Sequence, residues 1–355
     1  MKELADILAA YDDVGRSGPA MVLATLVRTF GPCYRRPGAR MLLIEGGHQV
    51  GLLSGRNVEK AVHARARSVA EAGRPELCVF TSAEQAQGID ATPAENHVLL
   101  EPLTGEPDEL PLRLLRACLE QRRTYAVATV FASSGPDCPA AGARWFLDEQ
   151  GQLFSPPAPD AIDRAIRRDL ESASAAGGAR ALEYDSDQGR VEVLLERLTP
   201  PPVLTIFGGG LDVCPLVRMS KELGWHTWIV DPDPACANKG RFELADRVIV
   251  ARLEQFEENL QIDDHTIAIL ATHNFTYDLR LLACLLGRNC RYVGIVGPRE
   301  RSERLLTALR RKSPAQARKA AGRVFAPAGL QIGAETPQEN ALAILSQIRA
   351  RLSGR

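Results

Sequence analysis

The loop GPCYRRPGAR at residues 31–40 clusters arginines that could bind a ligand. Arg35 and Arg36 directly follow Tyr34, and Arg40 closes the loop. A guanidinium group can bind a phosphate or a carboxylate through two parallel N–H groups, and it also stacks on aromatic rings. The loop therefore predicts that these four side chains contact a planar, phosphorylated ligand. The alternative is an exposed turn that binds nothing.

A second group of candidates surrounds the glycines from Gly208 to Gly210. An apolar run ends just before them and a helix is predicted over roughly 213–223, so backbone N–H groups at the helix N-terminus could stabilise a phosphate. Asp231 follows Gly208 by 23 residues, a spacing that suits a carboxylate bound to the ribose 2′-hydroxyl of NAD. Val213 stands where glycine or alanine packs best, and the glycines could also serve the turn alone.

Three further candidates follow two apolar runs near the C-terminal part of the chain. His273 and Asp278 come after TIAILA, and Arg299 comes after RYVGIVG. Loops at the carboxyl edge of an open parallel sheet are where α/β folds place ligands. His273 could act as a general base or a hydrogen-bond donor, and Arg299 could bind a phosphate or carboxylate. The alternatives are a helix-capping histidine and a solvated arginine; for Arg301, on the same basic helix, only solvation is expected.

An internal repeat must position the arginine loop. The segment 21–29 matches 125–133, and the loop matches GPDCPAAGAR at 135–144, both at an offset of 104 residues. VLLEPL (98–103) matches VLLERL (193–198) at an offset of 95, so the second copy has lost nine residues. Each copy is predicted to run strand, glycine-rich turn, strand, turn, helix, strand. The second copy keeps the frame of the loop and lacks its charged centre.

The pattern changes after the run TPPP at 199–202, where consecutive prolines indicate a domain boundary. Beyond it, apolar runs alternate with helical segments, which predicts a parallel, doubly wound sheet. The strands are predicted at 203–207, 226–231, 246–250, 266–272 and 291–297. The last helix is predicted to begin with Thr336 as its N-cap, Pro337 as its first residue and Glu339 in a capping box.

The predicted fold class is therefore α/β. An N-terminal α/β domain at 1–199 would comprise two tandem related units, 1–104 and 105–199, followed by a Rossmann-like, doubly wound parallel domain at 200–355. The net charge of −1 argues against a nucleic-acid surface, and no run of about 18 apolar residues predicts a membrane span. The first fifteen residues are typical of an amphipathic helix rather than a signal peptide. The eight cysteines form no C-x-x-C pair, so neither disulfides nor a zinc site is expected.

Five segments carry a resemblance to a known family. They are RTFGPCYRRPGARM (28–41), PPVLTIFGGGLDVCPLV (201–217), THNFTYD (272–278), YVGIVGPRERSERLL (292–306) and APAGLQIGAETPQENALAIL (326–345). Together they resemble the XdhC/CoxI family, whose members mature molybdenum hydroxylases such as xanthine and carbon monoxide dehydrogenases. The resemblance implies a cytoplasmic, homodimeric protein that binds the molybdenum cofactor, protects it during sulfuration and helps its insertion into the apo-hydroxylase.

The sequence departs from the family pattern where the family carries its thiols. The pattern S-G-G-C-L-E stands here as SGRNVE (54–59), with Arg56 for glycine and Asn57 for cysteine, and a G-C-G-G run is replaced by GIDATPAEN (88–96). Cys33 stands where the family usually has serine. It could supply a substitute thiol with its pKa lowered by the neighbouring arginines, or it could be a buried, inert cysteine.

The residues and the resemblance together predict an accessory protein, non-catalytic or weakly catalytic, from a diverged branch of this family. The arginine loop would contact the anionic cofactor, and the Rossmann edge would hold its phosphate or nucleotide part. Two alternatives stay open. One is an NAD(P)-dependent oxidoreductase with His273 as proton donor, for which no Tyr-x-x-x-Lys pair is found. The other is a scaffold without a ligand that docks a hydroxylase or a cysteine desulfurase, which the absence of the family cysteines would permit.

Overall fold

The computed structural model describes residues 2–81, 94–106, 109–173, 178–255 and 262–353. The chain divides into two compact units, Glu3–Pro200 and Pro201–Arg355, and Lys2 belongs with the second. Among the described helices, none combines the length and the apolar composition that a membrane crossing requires.

Two antiparallel sheets of five strands each form the first unit. Their strand orders, β3-β2-β1-β5-β4 and β8-β7-β6-β10-β9, are the same order repeated, so the predicted pair of related units is confirmed. The strands of the first sheet are β1 Met21–Phe30, β2 Arg40–Ile44, β3 His48–Gly51, β4 Glu76–Thr81 and β5 Glu95–Leu103. Those of the second are β6 Tyr125–Ser134, β7 Arg144–Asp148, β8 Leu153–Phe154, β9 Arg180–Ser186 and β10 Gly189–Leu198.

One long helix covers a face of each sheet, because its apolar residues recur at helical spacing. Helix α2 (Arg56–Ala72) packs on the first sheet and α4 (Asp160–Ala173) packs on the second. The buried residues of α2 are Val58, Val62, Ala66 and Val69. Helices α1 (Lys2–Val14) and α3 (Leu110–Glu120) complete the helices of this region, and α1 buries Ile7, Leu8 and Tyr11 as its predicted amphipathic pattern requires.

The two sheets contact each other through residues at equivalent positions of the repeat. Val27 and Leu99 of the first copy form a buried cluster with Phe131 and Leu194 of the second. Val27 corresponds to Phe131 at the offset of 104, and Leu99 corresponds to Leu194 at the offset of 95. The sequence duplication is therefore a structural one, with each copy supplying the same positions to the shared core.

The residues missing from the second copy fall in the connection between its last two strands. Strands β4 and β9 still begin at the offset of 104, whereas β5 and β10 match at 95. The connection comprises residues 82–94 in the first copy and Asp187–Gln188 in the second. Residues 88–93 of the segment GIDATPAEN lie outside the described residues.

A six-stranded parallel sheet in the order β13-β12-β11-β14-β15-β16 forms the second unit, which confirms the predicted doubly wound fold. The strands are β11 Val203–Phe207, β12 His226–Asp231, β13 Arg247–Val250, β14 Thr266–Leu270, β15 Tyr292–Ile295 and β16 Val324–Phe325. The helices whose bounds lie wholly within the described residues are α5 Cys214–Glu222, α6 Phe275–Leu286, α7 Arg299–Lys312, α8 Pro314–Arg318 and α9 Pro337–Leu352. Helices α6 and α7 pack on one face of the sheet, and α5 and α9 pack on the other.

Short-range hydrogen bonds and backbone conformations set the ends of several helices and strands in this unit. The predicted capping box of α9 is confirmed: Thr336 Oγ1 accepts from the Glu339 N–H at 3.3 Å, and the Glu339 carboxylate accepts from the Thr336 N–H at 2.9 Å. Strand β14 ends two residues earlier than predicted, and the chain then passes through a left-handed residue, His273, with φ of 57°. A 3₁₀ turn, Leu211–Val213, precedes α5.

A carboxylate with several hydrogen bonds ties α5 to the first residues of β12. Asp246 accepts hydrogen bonds from Lys221 Nζ at 2.8 Å and from the Thr227 N–H at 2.7 Å, and His226 Nδ1 lies 3.7 Å away. Partial burial opposes ionisation of Asp246, but the nearby His226 ring and the hydrogen bonds from Lys221 and Thr227 outweigh it and hold the pKa of this carboxyl well below its usual value.

Candidate functional site

The first unit contains a cleft of about 900 Å³, which we call the α2 cleft because it opens at the N-terminus of that helix. Residues Pro32 to Tyr34 of the arginine loop form one wall. Ser54, Gly55 and the first turns of α2 form another, and the end of β4 with the start of β5 closes the third side. The cleft thus lies where the loop, the SGRNVE segment, the end of β4 and the start of β5 meet.

The start of α2 presents backbone donors to this cleft. Gly55 is the N-cap, and because it has no side chain it makes no capping hydrogen bond. The N–H groups of the first helical turn, from Arg56 to Val58, have no intrahelical acceptor. Gly55, Asn57 and Val58 line the cleft. Glu59, one residue later, is used internally, since its carboxylate accepts from the Leu53 N–H at 3.2 Å.

Asn96 lies at the inner side of the same cleft and is buried. The residue is only 2% exposed, and its Oδ1 atom has no hydrogen-bond partner among the described residues. Asn96 pairs with Thr29 of β1 and with Phe80 of β4, so it sits between two strands near the start of β5. Buried polar atoms in folded proteins are nearly always paired. The oxygen is therefore an exception to that pattern, and its burial keeps it out of contact with the open space of the cleft.

The cleft is uncharged over the part of the chain that the structure describes. Its lining residues are Pro32, Cys33, Tyr34, Ser54, Gly55, Asn57, Val58, Ala61, Val79, Phe80, Thr81, Ala94 and Asn96. None of these side chains is acidic or basic, so the cleft offers polar neutral groups and apolar contacts rather than a charge complementary to phosphate.

Of the four loop residues predicted to contact a ligand, only Tyr34 lines the cleft, and its side chain is 75% exposed. Arg35 forms two hydrogen bonds to the carboxylate of Glu3, at 3.0 and 3.1 Å. Arg36 is exposed and does not line the cleft. The arginine loop therefore reaches the cleft through its aromatic residue and Cys33, not through its guanidinium groups.

Arg40 points into the interior and forms an ion pair with Glu196, and these side chains are 9% and 6% exposed. Its predicted ligand contact is therefore not seen. The equivalent residue of the second copy, Arg144, pairs with Glu101 through Nη2–Oε distances of 2.6 and 2.7 Å. Glu101 and Glu196 are themselves equivalent at the offset of 95. Each copy thus supplies an arginine to the glutamate of the other.

The conserved glycine and arginine of each loop copy also contact each other. Arg40 and Arg144 each also donate to the carbonyl of the glycine two residues earlier, at 3.1 and 2.7 Å. Burial alone would lower the pKa of Arg40, but the adjacent Glu196 carboxylate outweighs it and raises the pKa above its usual value. The matching glycines and arginines therefore hold the two copies together, and this role needs them in both copies.

Cys33 lines the cleft, but the predicted lowering of its pKa is wrong. Burial raises the pKa of the thiol, and Sγ donates to the carbonyls of Phe30 at 3.3 Å and Glu95 at 3.6 Å. Arg35 and Arg40 are held by carboxylates elsewhere, so they do not stabilise a thiolate here.

In the second unit, the glycine turn and Asp231 lie together as predicted. Gly208 has φ of 117°, and any side chain there would collide with the carbonyl of Ala271. The Asp231 carboxylate accepts from the Gly209 N–H at 2.8 Å and from the Asp233 N–H at 2.9 Å. Each oxygen accepts one of these hydrogen bonds and keeps a second lone pair. The residue is only half-buried, so a ribose hydroxyl could reach that lone pair.

The phosphate position beside this turn faces a carboxylate of the chain itself. Asp212, in the 3₁₀ turn, places Oδ1 where a β-carbon on residue 210 would stand, and its Oδ2 is 3.3 Å from Nε2 of His273. His273 is therefore at the sheet edge, as predicted. A phosphate at this helix start would meet the negative charge of Asp212, which makes the site less favourable to anions than its glycines indicate.

Asp278 and Arg301 form a buried pair rather than ligand contacts. Asp278 is fully buried, accepts from Thr272 Oγ1 at 2.6 Å and pairs with Arg301 Nη2 at 2.5 Å. The solvated role expected for Arg301 is wrong, because its side chain is only 18% exposed. Arg299 is exposed and pairs with Glu303 at 3.0 Å along α7, which matches the solvated alternative.

Sequence reasoning did not single out Asn96 or the N–H groups of α2. The available signal was indirect: SGRNVE and the last residues of GIDATPAEN, Ala94 and Asn96, line the cleft, and both segments depart from the pattern of the family that the sequence resembles.

Comparisons with known proteins match both units. Residues 204–348 match the family model described as the XdhC Rossmann domain, and residues 15–81, which include the arginine loop and α2, match the XdhC and CoxI family. The chain is 29% identical over 331 residues to a Bacillus subtilis (strain 168) protein named as a probable xanthine dehydrogenase subunit, covering 92% of each chain. It is 26% identical over 244 residues to the "Uncharacterized protein YqeB" of Escherichia coli (strain K12), covering 64% of this chain and 44% of the other.

A solved structure shares the fold over nearly the whole length. The crystal structure of a protein named a xanthine dehydrogenase from Bacillus halodurans superposes with a TM-score of 0.74 at 25% identity. The match covers 99% of this chain and 96% of that one.

Proposed function

We propose that the chain, whose two units match family models of the XdhC and CoxI type, is a cytoplasmic accessory protein that binds the molybdenum cofactor for a molybdenum hydroxylase. In this proposal it protects the cofactor during sulfuration and helps insert it into the apo-enzyme. The observation that carries the proposal is the α2 cleft, whose lining from Pro32 to Thr81 belongs to the segment that matches the XdhC and CoxI family.

The residues of the cleft fit the organic part of the cofactor better than its metal. Asn57 stands where the family has a cysteine, and an amide is a poor ligand for molybdenum compared with a thiolate. Cys33 is the remaining thiol among the described lining residues, and its raised pKa disfavours the thiolate form. When bound, the cofactor would supply the redox centre of the hydroxylase, and the protein would hold and shield its organic part.

The partner proposals rest on the relatives. Two similar proteins are named as a xanthine dehydrogenase or one of its subunits, which supports a molybdenum hydroxylase as the client. A cysteine desulfurase as sulfur donor and a homodimer as the working form belong to the same proposal.

Copurification tests the proposal. The protein is produced in a host that makes molybdenum cofactor, and the bound pterin is oxidised to a fluorescent product and quantified. Ala61→Trp places a large ring in the cleft, whereas Ala64→Trp adds the same ring at an exposed position of α2 that does not line it. We expect pterin with the wild type and Ala64→Trp and little with Ala61→Trp. Absence of pterin from the wild type would refute cofactor binding.

A nucleotide-dependent role of the second unit is supported by one observation. The half-exposed Asp231 carboxylate lies beside the glycine turn, where it could accept from a ribose hydroxyl. Asp212 opposes the accompanying phosphate. Fluorescence titration of the protein with NADH and NADPH tests this role. NADH binding that Asp231→Ala abolishes would favour either an oxidoreductase or a protein that binds the nucleotide part of the cofactor. Absence of nucleotide binding would exclude both.

A further inference from the structure

A dense run of basic residues leads from helix α7 to strand β16. Residues 301–323 contain eight arginines and lysines and one carboxylate, Glu303, although the whole chain has a net charge of −1. Five of the eight are exposed and are grouped at the end of α7 and around α8: Arg310, Arg311, Lys312, Arg318 and Lys319. We call these five residues the cationic surface.

The charges at the start of α7 are used within the fold, whereas those of the cationic surface are not. Arg301 pairs with the buried carboxylate of Asp278. The guanidinium carbon of Arg304 lies 5.6 Å from the centre of the Phe275 ring. Over the described part of the chain, no carboxylate lies within ion-pair distance of any side chain of the cationic surface. These five charges therefore face solvent without a counter-charge.

The parallel topology places the cationic surface at the amino edge of the sheet. Strands β15 and β16 are parallel neighbours, so the connection through α7 and α8 must carry the chain back to the edge where both strands begin. Ser313 alone separates α7 from α8, which keeps the basic residues of the two helices together. Arg323 fixes the end of this connection, since its Nε donates to the Cys290 carbonyl at 2.9 Å. The surface therefore lies at the opposite edge of the sheet from the glycine turn and His273.

Helix ends account for only part of this charge. Basic side chains in the last turn of a helix stabilise its dipole, and α7 ends in Arg310, Arg311 and Lys312. A helix dipole corresponds to roughly half an elementary charge at each end, so five positive charges exceed what the ends of α7 and α8 require. The excess charges repel one another, and a bound surface of carboxylates would remove that repulsion.

Two open clefts run beside the cations and can receive side chains of a partner. One, of about 620 Å³, is lined by Ala308 and Arg311 of α7. The other, of about 470 Å³, lies between α6 and the end of α7. Lys312 lines both, so the two clefts form one stretch of surface. The carboxylates that line them belong to Glu254, which pairs with Arg280, and to the first turns of α7.

Two features point to a carboxylate-rich protein as the partner. Between residues 299 and 323 no large apolar or aromatic side chain is exposed. The surface therefore lacks the rings on which single-stranded nucleic acid stacks and the apolar anchors of a membrane-binding helix. Three of its five residues are arginines, whose planar guanidinium binds a carboxylate through two parallel N–H groups.

We propose that the cationic surface docks a partner protein through a carboxylate-rich segment that lies along the end of α7 and along α8. Arg311 and Arg318 bind carboxylates through paired N–H groups, and Lys312 and Lys319 add single charge-assisted hydrogen bonds. The proposal goes beyond the proposed function and does not depend on it, since neither the α2 cleft nor the cofactor takes part.

Fluorescence anisotropy of the full-length protein with a labelled peptide of alternating glutamate and serine tests this surface. The comparison probes are the same peptide with glutamine for glutamate, an oligothymidylate of the same charge and vesicles containing phosphatidylserine. We expect the glutamate peptide to bind more tightly than every other probe, and to bind more weakly as salt is added because exposed charges are screened. Absence of binding, or tighter binding of the oligothymidylate or the vesicles, would overturn the proposal.

Cross-linking with a carbodiimide, which joins lysine amines to carboxylates, maps where the glutamate peptide binds. The chain has six lysines, and two of them, Lys312 and Lys319, belong to the cationic surface. We expect mass spectrometry to find the peptide on these two lysines. Peptide found only on the other four would overturn the proposal. This map needs no substitution, so it decides the question even where a variant perturbs folding.

Neutralising part of the cationic surface should weaken the interaction. In Arg311→Gln/Arg318→Gln/Lys319→Gln, the affinity for the glutamate peptide should fall at least about threefold, because each exposed ion pair adds roughly 1.5-fold to fivefold. The three side chains are exposed, so the thermal unfolding temperature should stay that of the wild type.

The matched control removes the same charges from other exposed positions. Lys60→Gln/Arg218→Gln/Arg349→Gln neutralises one lysine and two arginines on α2, α5 and α9. Distant exposed charges are screened, so the affinity should change by less than about twofold. Equal weakening by the two triple variants would show that the peptide responds to net charge alone and would overturn the assignment of the surface.

Discussion

Replacing Arg40 with methionine should destabilise the first unit by about 3–5 kcal/mol, the range measured when one partner of a buried ion pair is removed. The side chains of Arg40 and Glu196 are 9% and 6% exposed, so the glutamate left behind has almost no access to water. It would have to remain charged without a partner or take up a proton at neutral pH. Either course lowers the free energy of unfolding.

A double replacement separates the loss of pairing from the loss of side-chain volume. Arg40→Met/Glu196→Leu removes both charges and fills the space with apolar atoms, which is often neutral or stabilising for buried pairs. The matched control is Arg67→Met. Arg67 pairs with Glu71 on the surface of α2, with side chains 82% and 68% exposed, so removing it should cost less than about 0.5 kcal/mol.

Differential scanning calorimetry of the full-length protein measures these effects. For a unit of about 200 residues, each kcal/mol moves the midpoint by roughly 2–4 °C, so Arg40→Met should lower the transition of the first unit by about 6–20 °C. The transition of the second unit should not move. A shift for Arg40→Met no larger than that for Arg67→Met would refute the reasoning, as would a double variant that is no more stable than the single one.

Three other outcomes follow from local geometry and charge. Asp246→Asn should lower the stability of the second unit at pH 7, where the depressed pKa of the carboxyl stabilises the fold. This stabilisation begins to be lost below about pH 4 and disappears only below the depressed pKa, so the difference between the thermal melts of variant and wild type should shrink steadily as the pH falls through this range. Cys33 should react with iodoacetamide at pH 8 more slowly than the cysteine of a free peptide does, because burial raises the pKa of its thiol. Mass spectrometry measures the extent of labelling over time, and rapid labelling at pH 7 would contradict this expectation. Gly208→Ala should destabilise far more than Gly322→Ala in urea titrations, because both have positive φ but only Gly208 faces a backbone carbonyl, and equal losses would show that the clash is relieved.

Most of the fold could be predicted from the sequence because the repeat, the apolar runs and the capping residues are patterns of the sequence itself. The shared offset of 104 residues predicted two copies of one unit, and the alternation of apolar runs with helices predicted the parallel sheet. The capping box at Thr336 needed only four consecutive residues to recognise. Strand ends were less accessible, because the end of β14 depends on the left-handed turn at His273.

The site was less accessible because its residues are defined by distant partners. Arg40 was predicted to contact a ligand because its partner, Glu196, lies 156 residues away in the sequence and only the fold brings the two together. A sequence signal did exist: the second copy retains Arg144 while losing Tyr34, Arg35 and Arg36. A repeated arginine, matched by a repeated glutamate in an apolar strand, indicates a contact between the copies. Nothing in the sequence around Asn96 indicates that its oxygen is buried without a partner.

The two crossed ion pairs are equivalent in the folded unit but not along the chain. Glu101 and Arg144 are 43 residues apart, whereas Arg40 and Glu196 are 156 apart. Closing the longer loop costs roughly 1 kcal/mol more in chain entropy. During synthesis from the N-terminus, the shorter pair can form while the second copy is still emerging, whereas Arg40 must wait for the last strand of its unit. The duplication therefore yields a symmetric structure by an asymmetric order of assembly.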